Sequence, residues 1–149
     1  MTGHMYIFHN TMFRSDEWLP TGALGGNRIV KHTTSRNNIL HVRNPRDFSA
    51  SANKQNADNS FDYDLYNGRI PENTEPHGVK GEPVYVHGSG FDEVTKTGRF
   101  QLADNSPGAA AGEPIPNFSE GYAGEAPDVG AHRRGQPPMQ FGVSARFNP

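Results

Sequence analysis

Five basic residues fall close together in this chain: Lys31, His32, Arg36, His41 and Arg43. Such a set suits an elimination in which one side chain removes the proton alpha to a uronate carboxylate while cations neutralise that carboxylate. Successive side chains of a strand point to opposite faces, so Lys31 and His32 cannot both serve one surface. The plainer expectation is a solvated outer face carrying ordinary basic residues. Lys31 and Arg36 stay as candidates for contact with an acidic sugar. His9 joins them, because a repeat alignment sets it one circuit away from Asn37 and so near Arg36. Trp18 lies in a polar excursion and offers a flat face for the apolar side of a pyranose, as does Tyr66; a lone Trp serves packing equally well.

Other constellations carry less. Asp58, Asp62 and Asp64 present the hard oxygens that calcium takes. Their stretch nevertheless lacks the Gly turn and distal Glu of a calcium loop, and a structural role for them is expected. Glu72, Glu75, Asp92 and Glu93 supply carboxylates of the type that glycoside hydrolysis uses in pairs, but nothing in their spacing sets a separation. His77, His87 and His132 have no metal-ligand spacing. No metal site and no catalytic residue is assigned. The chain has no Cys, which removes thiol catalysis, disulfides and zinc–thiolate sites together.

The elements that must position these residues are short strands. Met5-Tyr6-Ile7-Phe8-His9-Asn10-Thr11-Met12-Phe13 is the first, Asn27-Arg28-Ile29-Val30-Lys31-His32 leads into Thr34-Ser35-Arg36-Asn37-Asn38-Ile39-Leu40-His41-Val42, and Phe61-Asp62-Tyr63-Asp64-Leu65-Tyr66 follows. Superposing them aligns Asn10, Asn38 and Asp64, which are 28 and 26 residues apart. Intervals of this size without helical periodicity point to stacked β-circuits, one per repeat. Circuits stack at about 4.8 Å, so amides and carboxylates at one corner can bond to those above and below. Asn10, Asn38 and Asp64 are therefore predicted to form a corner ladder, with an inward apolar pair after each. Asn also tolerates the left-handed backbone that a corner needs. Residues 14–26, 44–60 and 67–81 are polar, turn-rich loops between circuits, the usual place for binding surfaces.

Past Gly81 the pattern changes. Pro83-Val84-Tyr85-Val86 and Arg99-Phe100-Gln101-Leu102 are predicted short strands, and Ala109-Ala110-Ala111 could form one helical turn ended by Gly112. Residues 113–149 are punctuated by Pro and Gly, with apolar residues spaced singly. That suits an extended tail laid over the outside or the end of the stacked circuits.

Composition agrees. Hydrophobic residues make up 33% of the 149, with 17 Gly and 12 Pro, which favours short strands and turns over amphipathic helices. Nine Phe and five Tyr provide more capacity for burial than a disordered chain has. A net charge of −2 provides no electrostatic footprint for nucleic acid. No apolar stretch approaches the roughly 20 residues of a membrane-spanning helix.

Several segments together carry a resemblance. They are Tyr6-Ile7-Phe8-His9-Asn10-Thr11, Arg36-Asn37-Asn38-Ile39, Asp62-Tyr63-Asp64-Leu65-Tyr66, Gly98-Arg99-Phe100-Gln101-Leu102, Ser106-Pro107-Gly108-Ala109 and Ala126-Pro127-Asp128-Val129-Gly130-Ala131. Their succession resembles the closing part of right-handed parallel β-helix proteins of the pectate-lyase-like, carbohydrate-active kind. The resemblance implies an all-β fold, a right-handed parallel β-helix (β-solenoid) of few coils, over residues 1–112 with long loops. Residues 113–149 would be an extended C-terminal capping segment. It implies a C-terminal portion of a secreted polysaccharide-degrading or polysaccharide-binding protein, of lyase or glycoside hydrolase type, itself without the full catalytic site. The rivals are a non-enzymatic, adhesin-like binding module and a purely structural cap. A polysaccharide is the expected partner, with self-association through an open N-terminal coil. No cofactor is evident, though calcium could serve the parent protein. The expected location is extracellular or periplasmic, although Met1-Thr2-Gly3-His4 does not read as a signal peptide.

Overall fold

The structure is a computed structural model, and it describes residues 3–15, 22–25, 31–51, 58–88, 90–122 and 124–137. Among these residues the fold is all-β and contains no helix. Eleven short strands follow one another: β1 (Met5–Phe8), β2 (Thr11–Arg14), β3 (Leu24–Gly25), β4 (Thr33–Arg36), β5 (Ile39–Val42), β6 (Ala50–Ser51), β7 (Ser60–Asp62), β8 (Leu65–Tyr66), β9 (Val79–Lys80), β10 (Phe91–Asp92) and β11 (Thr97–Gly98).

Nine of them form three parallel sheets, ordered β1-β4-β7, β2-β5-β8-β9 and β3-β6. The chain visits the three sheets in the same order on its first two passes, and the third pass repeats the first two of them before β9 returns to the four-stranded sheet. Met5 pairs with Thr33 and Thr11 with Ile39, whereas Thr34 pairs with Ser60 and Ile39 with Leu65. Those intervals are the 28 and 26 residues that separate Asn10, Asn38 and Asp64. The last interval shortens sharply: Leu65 pairs with Val79, only 14 residues on. Strands β10 and β11 form a separate antiparallel hairpin.

The corners that join the first and second sheets explain why each long apolar run breaks in two. His9, Asn37 and Tyr63 have φ of 51°, 58° and 58°. The left-handed residue therefore stands one position before each expected anchor. This leaves the backbone of Asn10, Asn38 and Asp64 free to pair along the stack. The Asn10 N–H donates to Asn38 Oδ1 at 2.8 Å, and the Asn38 N–H donates to Asp64 Oδ1 at 2.7 Å. Asp64 Oδ1 also accepts from Asn38 Nδ2, and Oδ2 accepts from the Ser35 hydroxyl at 2.5 Å.

The fourth rung has another origin. In register, Gly78 stands opposite Asp64 and has no side chain to offer. Glu75 fills the space: a Cβ on Gly78 would lie 2.5 Å from Glu75 Oε2, and that same oxygen accepts the Asp64 N–H at 3.1 Å. Burial, and then the nearby Asp64 carboxylate, push the Glu75 carboxyl up to about 9, so it is protonated at neutral pH.

The core is double. Leu40 and Tyr66 pack with Leu24, Ala50 and Phe61 on one side of the four-stranded sheet. Ile39 and Leu65, the alternating neighbours, pack with Tyr85, Leu102 and Val129 on the other. Only one residue of each apolar pair thus faces inward, and the other is covered from outside. All four residues of β5 are buried for this reason. Val129 seats against the sheet through a close approach at Gly130, whose φ is 91° and where a Cβ would lie 2.5 Å from Ile39 Cδ1. Residues 107–110 are turns rather than a helical turn, with Ala110 at φ 50°. Tyr85 and Leu102 meet in an isolated antiparallel bridge instead of extended strands.

Candidate functional site

The expected basic cluster is dispersed by the fold. Lys31 is exposed, and His32 lies 3.8 Å from Asp58. Arg36 turns to Glu113 at 3.2 Å, and also donates to the Ser60 carbonyl and hydroxyl. His41 is buried on the covered face between Tyr85 and Glu82, each 3.1 Å away. Arg43 pairs with Glu93. Trp18 lies outside the described residues, and Tyr66 is buried in the inner core.

The acidic residues also part company. Asp62 accepts from the His77 N–H at 2.6 Å and faces the His77 ring at 2.8 Å, while that ring stacks on Tyr63 at 4.9 Å. Burial works to raise the Asp62 carboxyl, but these bonds from His77 and the Tyr63 N–H hold it below the usual carboxylate range. Asp64 is engaged in the ladder and Asp58 is exposed, so the three do not converge. Among Glu72, Glu75, Asp92 and Glu93, Glu75 alone is buried. Asp92 accepts from the N–H groups of Val94 and Thr95, and Glu93 pairs with Lys96 and Arg43.

His9 is brought to a site of a different kind. A cavity of about 240 Å³ opens where its corner meets the later chain, lined by His9, Ser119, Tyr122, Asp128, Arg133 and Arg134 among others. Asn37 sits beneath it. Its Nδ2 donates to the Glu113 carbonyl and its Oδ1 accepts the Glu113 N–H, each at 2.7 Å, which fixes the orientation of the amide. The remaining Nδ2 hydrogen faces His9 Nε2 at 3.2 Å. A donor there requires Nε2 to be the unprotonated nitrogen. Burial is the main force lowering the His9 pKa; a bond to the Gly130 carbonyl opposes it and the Arg133 charge adds to it. The imidazole is therefore neutral at physiological pH.

No family model, curated protein or solved structure matches this chain.

The cavity holds one arginine paired with two carboxylates and a second arginine at its rim. Arg134 Nε donates to Asp128 Oδ1 at 2.8 Å, and its Nη1 to Asp104 at 3.0 Å. Asp128 also accepts the N–H groups of Ala110 and Arg134; burial opposes them, yet together they keep its carboxyl below the usual range. Arg133 is exposed at the rim and carries no ion pair among the described residues. A partly open recess that sets a rim guanidinium, a tyrosine and a neutral imidazole among largely apolar walls suits a hydroxylated ligand bearing a carboxylate.

Sequence reasoning placed His9 near Asn37 but had no means to find Ser119, Tyr122 or Arg133. They lie more than a hundred residues along the chain and follow no repeat. The available signal was local: single polar residues set between Gly and Pro turns in an otherwise small-residue stretch.

Proposed function

We propose that this chain is the C-terminal portion of a right-handed parallel β-helix protein that binds or degrades an acidic polysaccharide outside the cytoplasm. Its closing segment then forms a subsite for a uronate unit. The recurrence of strands in three parallel sheets, with a polar ladder at one corner, is the observation that carries the architectural part of this reading. The cavity between the His9 corner and the 119–136 stretch carries the ligand part. Arg133 takes the carboxylate, and Tyr122 lies against the ring. The chemistry of chain cleavage belongs to other parts of the parent protein.

Titration of the chain with uronic-acid oligomers and with neutral oligomers of equal length tests the reading. Micromolar to millimolar binding of the acidic series, weakened about 10- to 150-fold by Arg133→Ala, is the expected result, as loss of one charge-assisted contact costs about 1.5–3 kcal/mol. Equal retention of neutral and acidic oligomers, or of neither, overturns it. A purely structural closure is the second reading, favoured by the mutual bonding of Arg134, Asp128 and Asp104. Absence of binding to either series selects it.

A further inference from the structure

The Ser119 hydroxyl lies 2.9 Å from His9 Nε2, and both groups line the cavity. We infer that Ser119 and His9 form a nucleophile–base pair that hydrolyses a small acyl ester carried on a sugar hydroxyl. The inference goes beyond the binding role above and needs no part of the chain-cleaving chemistry.

Three observations set the roles. First, the Asn37 amide presents a hydrogen to Nε2, so this nitrogen has a lone pair rather than a proton. Second, a bond to the Gly130 carbonyl works to raise the His9 pKa against its burial, so the ring donates to that oxygen through its protonated nitrogen. Third, Ser119 Oγ accepts the Ile115 N–H at 3.0 Å. With Nε2 unprotonated, the Ser119 hydroxyl at 2.9 Å is the nearer of two donors to its single lone pair, the Asn37 amide being at 3.2 Å. A hydroxyl directed at a neutral, oriented imidazole is the arrangement of an activated nucleophile, with a backbone carbonyl in the orienting position.

The surroundings suit the substrate. Arg133 crosses the turn just after the serine, with its Nη1 3.2 Å from the point a Cβ on Gly121 would occupy. With part of its fork on the uronate carboxylate, the guanidinium keeps further N–H groups that can stabilise the negative oxygen of a tetrahedral intermediate. A cavity of about 240 Å³ admits an acetyl-sized group more readily than a long acyl chain.

The steps balance. Ser119 Oγ attacks the ester carbonyl carbon as its proton passes to His9 Nε2. The tetrahedral intermediate collapses, the bond to the sugar oxygen breaks, and that oxygen takes the proton from His9. Water then attacks the acyl-serine, His9 accepts a proton from it and returns it to Ser119, and a carboxylic acid leaves.

The full chain is treated with a fluorophosphonate probe, and its peptides are weighed by mass spectrometry; hydrolysis of 4-nitrophenyl acetate is followed in parallel. The expected result is an adduct on Ser119 and a turnover that falls about 100-fold or more in both Ser119→Ala and His9→Gln. Glutamine at position 9 can still accept from Ser119 and Asn37, so it keeps the hydrogen bonds while removing the base. No adduct on Ser119 in the unaltered chain, or turnover unchanged by His9→Gln, overturns the inference. The probe requires no glycan, so this result stands apart from the oligomer titration.

Discussion

The four-stranded sheet is covered on both faces, and by different means. On the inner face, Leu40 and Tyr66 meet residues of the other two sheets, which arrive at regular intervals through strand pairing. On the outer face, Ile39 and Leu65 meet Val129, Leu102 and Tyr85, from chain that makes almost no sheet of its own. One face is buried by repetition. The other is buried by fit, at points where a backbone comes close enough to leave no room for a side chain. Repetition spreads its cost over many equivalent positions, whereas fit concentrates it at a few.

Gly130→Val tests that concentration most severely. Valine at φ 91° is strained, and its Cβ would overlap Ile39. A loss of about 2–6 kcal/mol is expected from strain and overpacking together. Urea unfolding measures it, and proteolysis should first open the 103–137 stretch. Coupling sharpens the contrast: the effect of Leu65→Ala should overlap with that of Gly130→Val, whereas Leu40→Ala should add to it within about 0.5 kcal/mol. If both combinations add equally, the two faces are not energetically distinct.

The ladder, on the repeating side, has its own weak point in the Asp64–Glu75 pair. The folded chain holds Glu75 protonated up to about pH 9, while its ordinary value is 4.5. Between those values the folded state binds a proton that the unfolded state has released, so stability is complete below the window and falls as pH rises through it. Glu75→Gln keeps an acceptor for the Asp64 N–H and removes the titrating proton. The slope of urea midpoint against pH should flatten in that variant, while the parent chain declines steadily.

The smallest effect is expected at the exposed end of the same corner. His77→Ala removes a stacked ring and the partner of Asp62, yet the His77 side chain is 62% exposed. A loss of about 0.2–1 kcal/mol is expected at neutral pH. The Asp62 carboxyl lies below its ordinary range in the folded state, so this contribution is present above the unfolded value and fades as pH falls through the folded one. A large loss at neutral pH would show that the corner stack matters more than its exposure implies.

The contrast between the two faces also separates what could be read in the sequence from what could not. Asn10, Asn38 and Asp64 were legible because stacking forces like chemistry to recur at one interval. The left-handed positions were misplaced by one residue, since His9 and Tyr63 give little sign of a positive φ, and Asn37 and Asn38 are indistinguishable by type. Glu75 was hidden because the last interval is cut to 14 residues and the rung is borrowed from outside the register. The outer cover has no period at all. The Ser119–His9 contact joins residues 110 positions apart, and no local pattern can announce it.

Strand β9 ends the four-stranded sheet with two residues, of which Lys80 is exposed. A free sheet edge is a template for another chain's backbone, and short length and a lysine are the devices that spoil it. The opposite edges, β1 and β2, are four residues long each. The β9 end is therefore the poorer template: an incoming backbone finds half as many residues to pair with there, and a charge beside them.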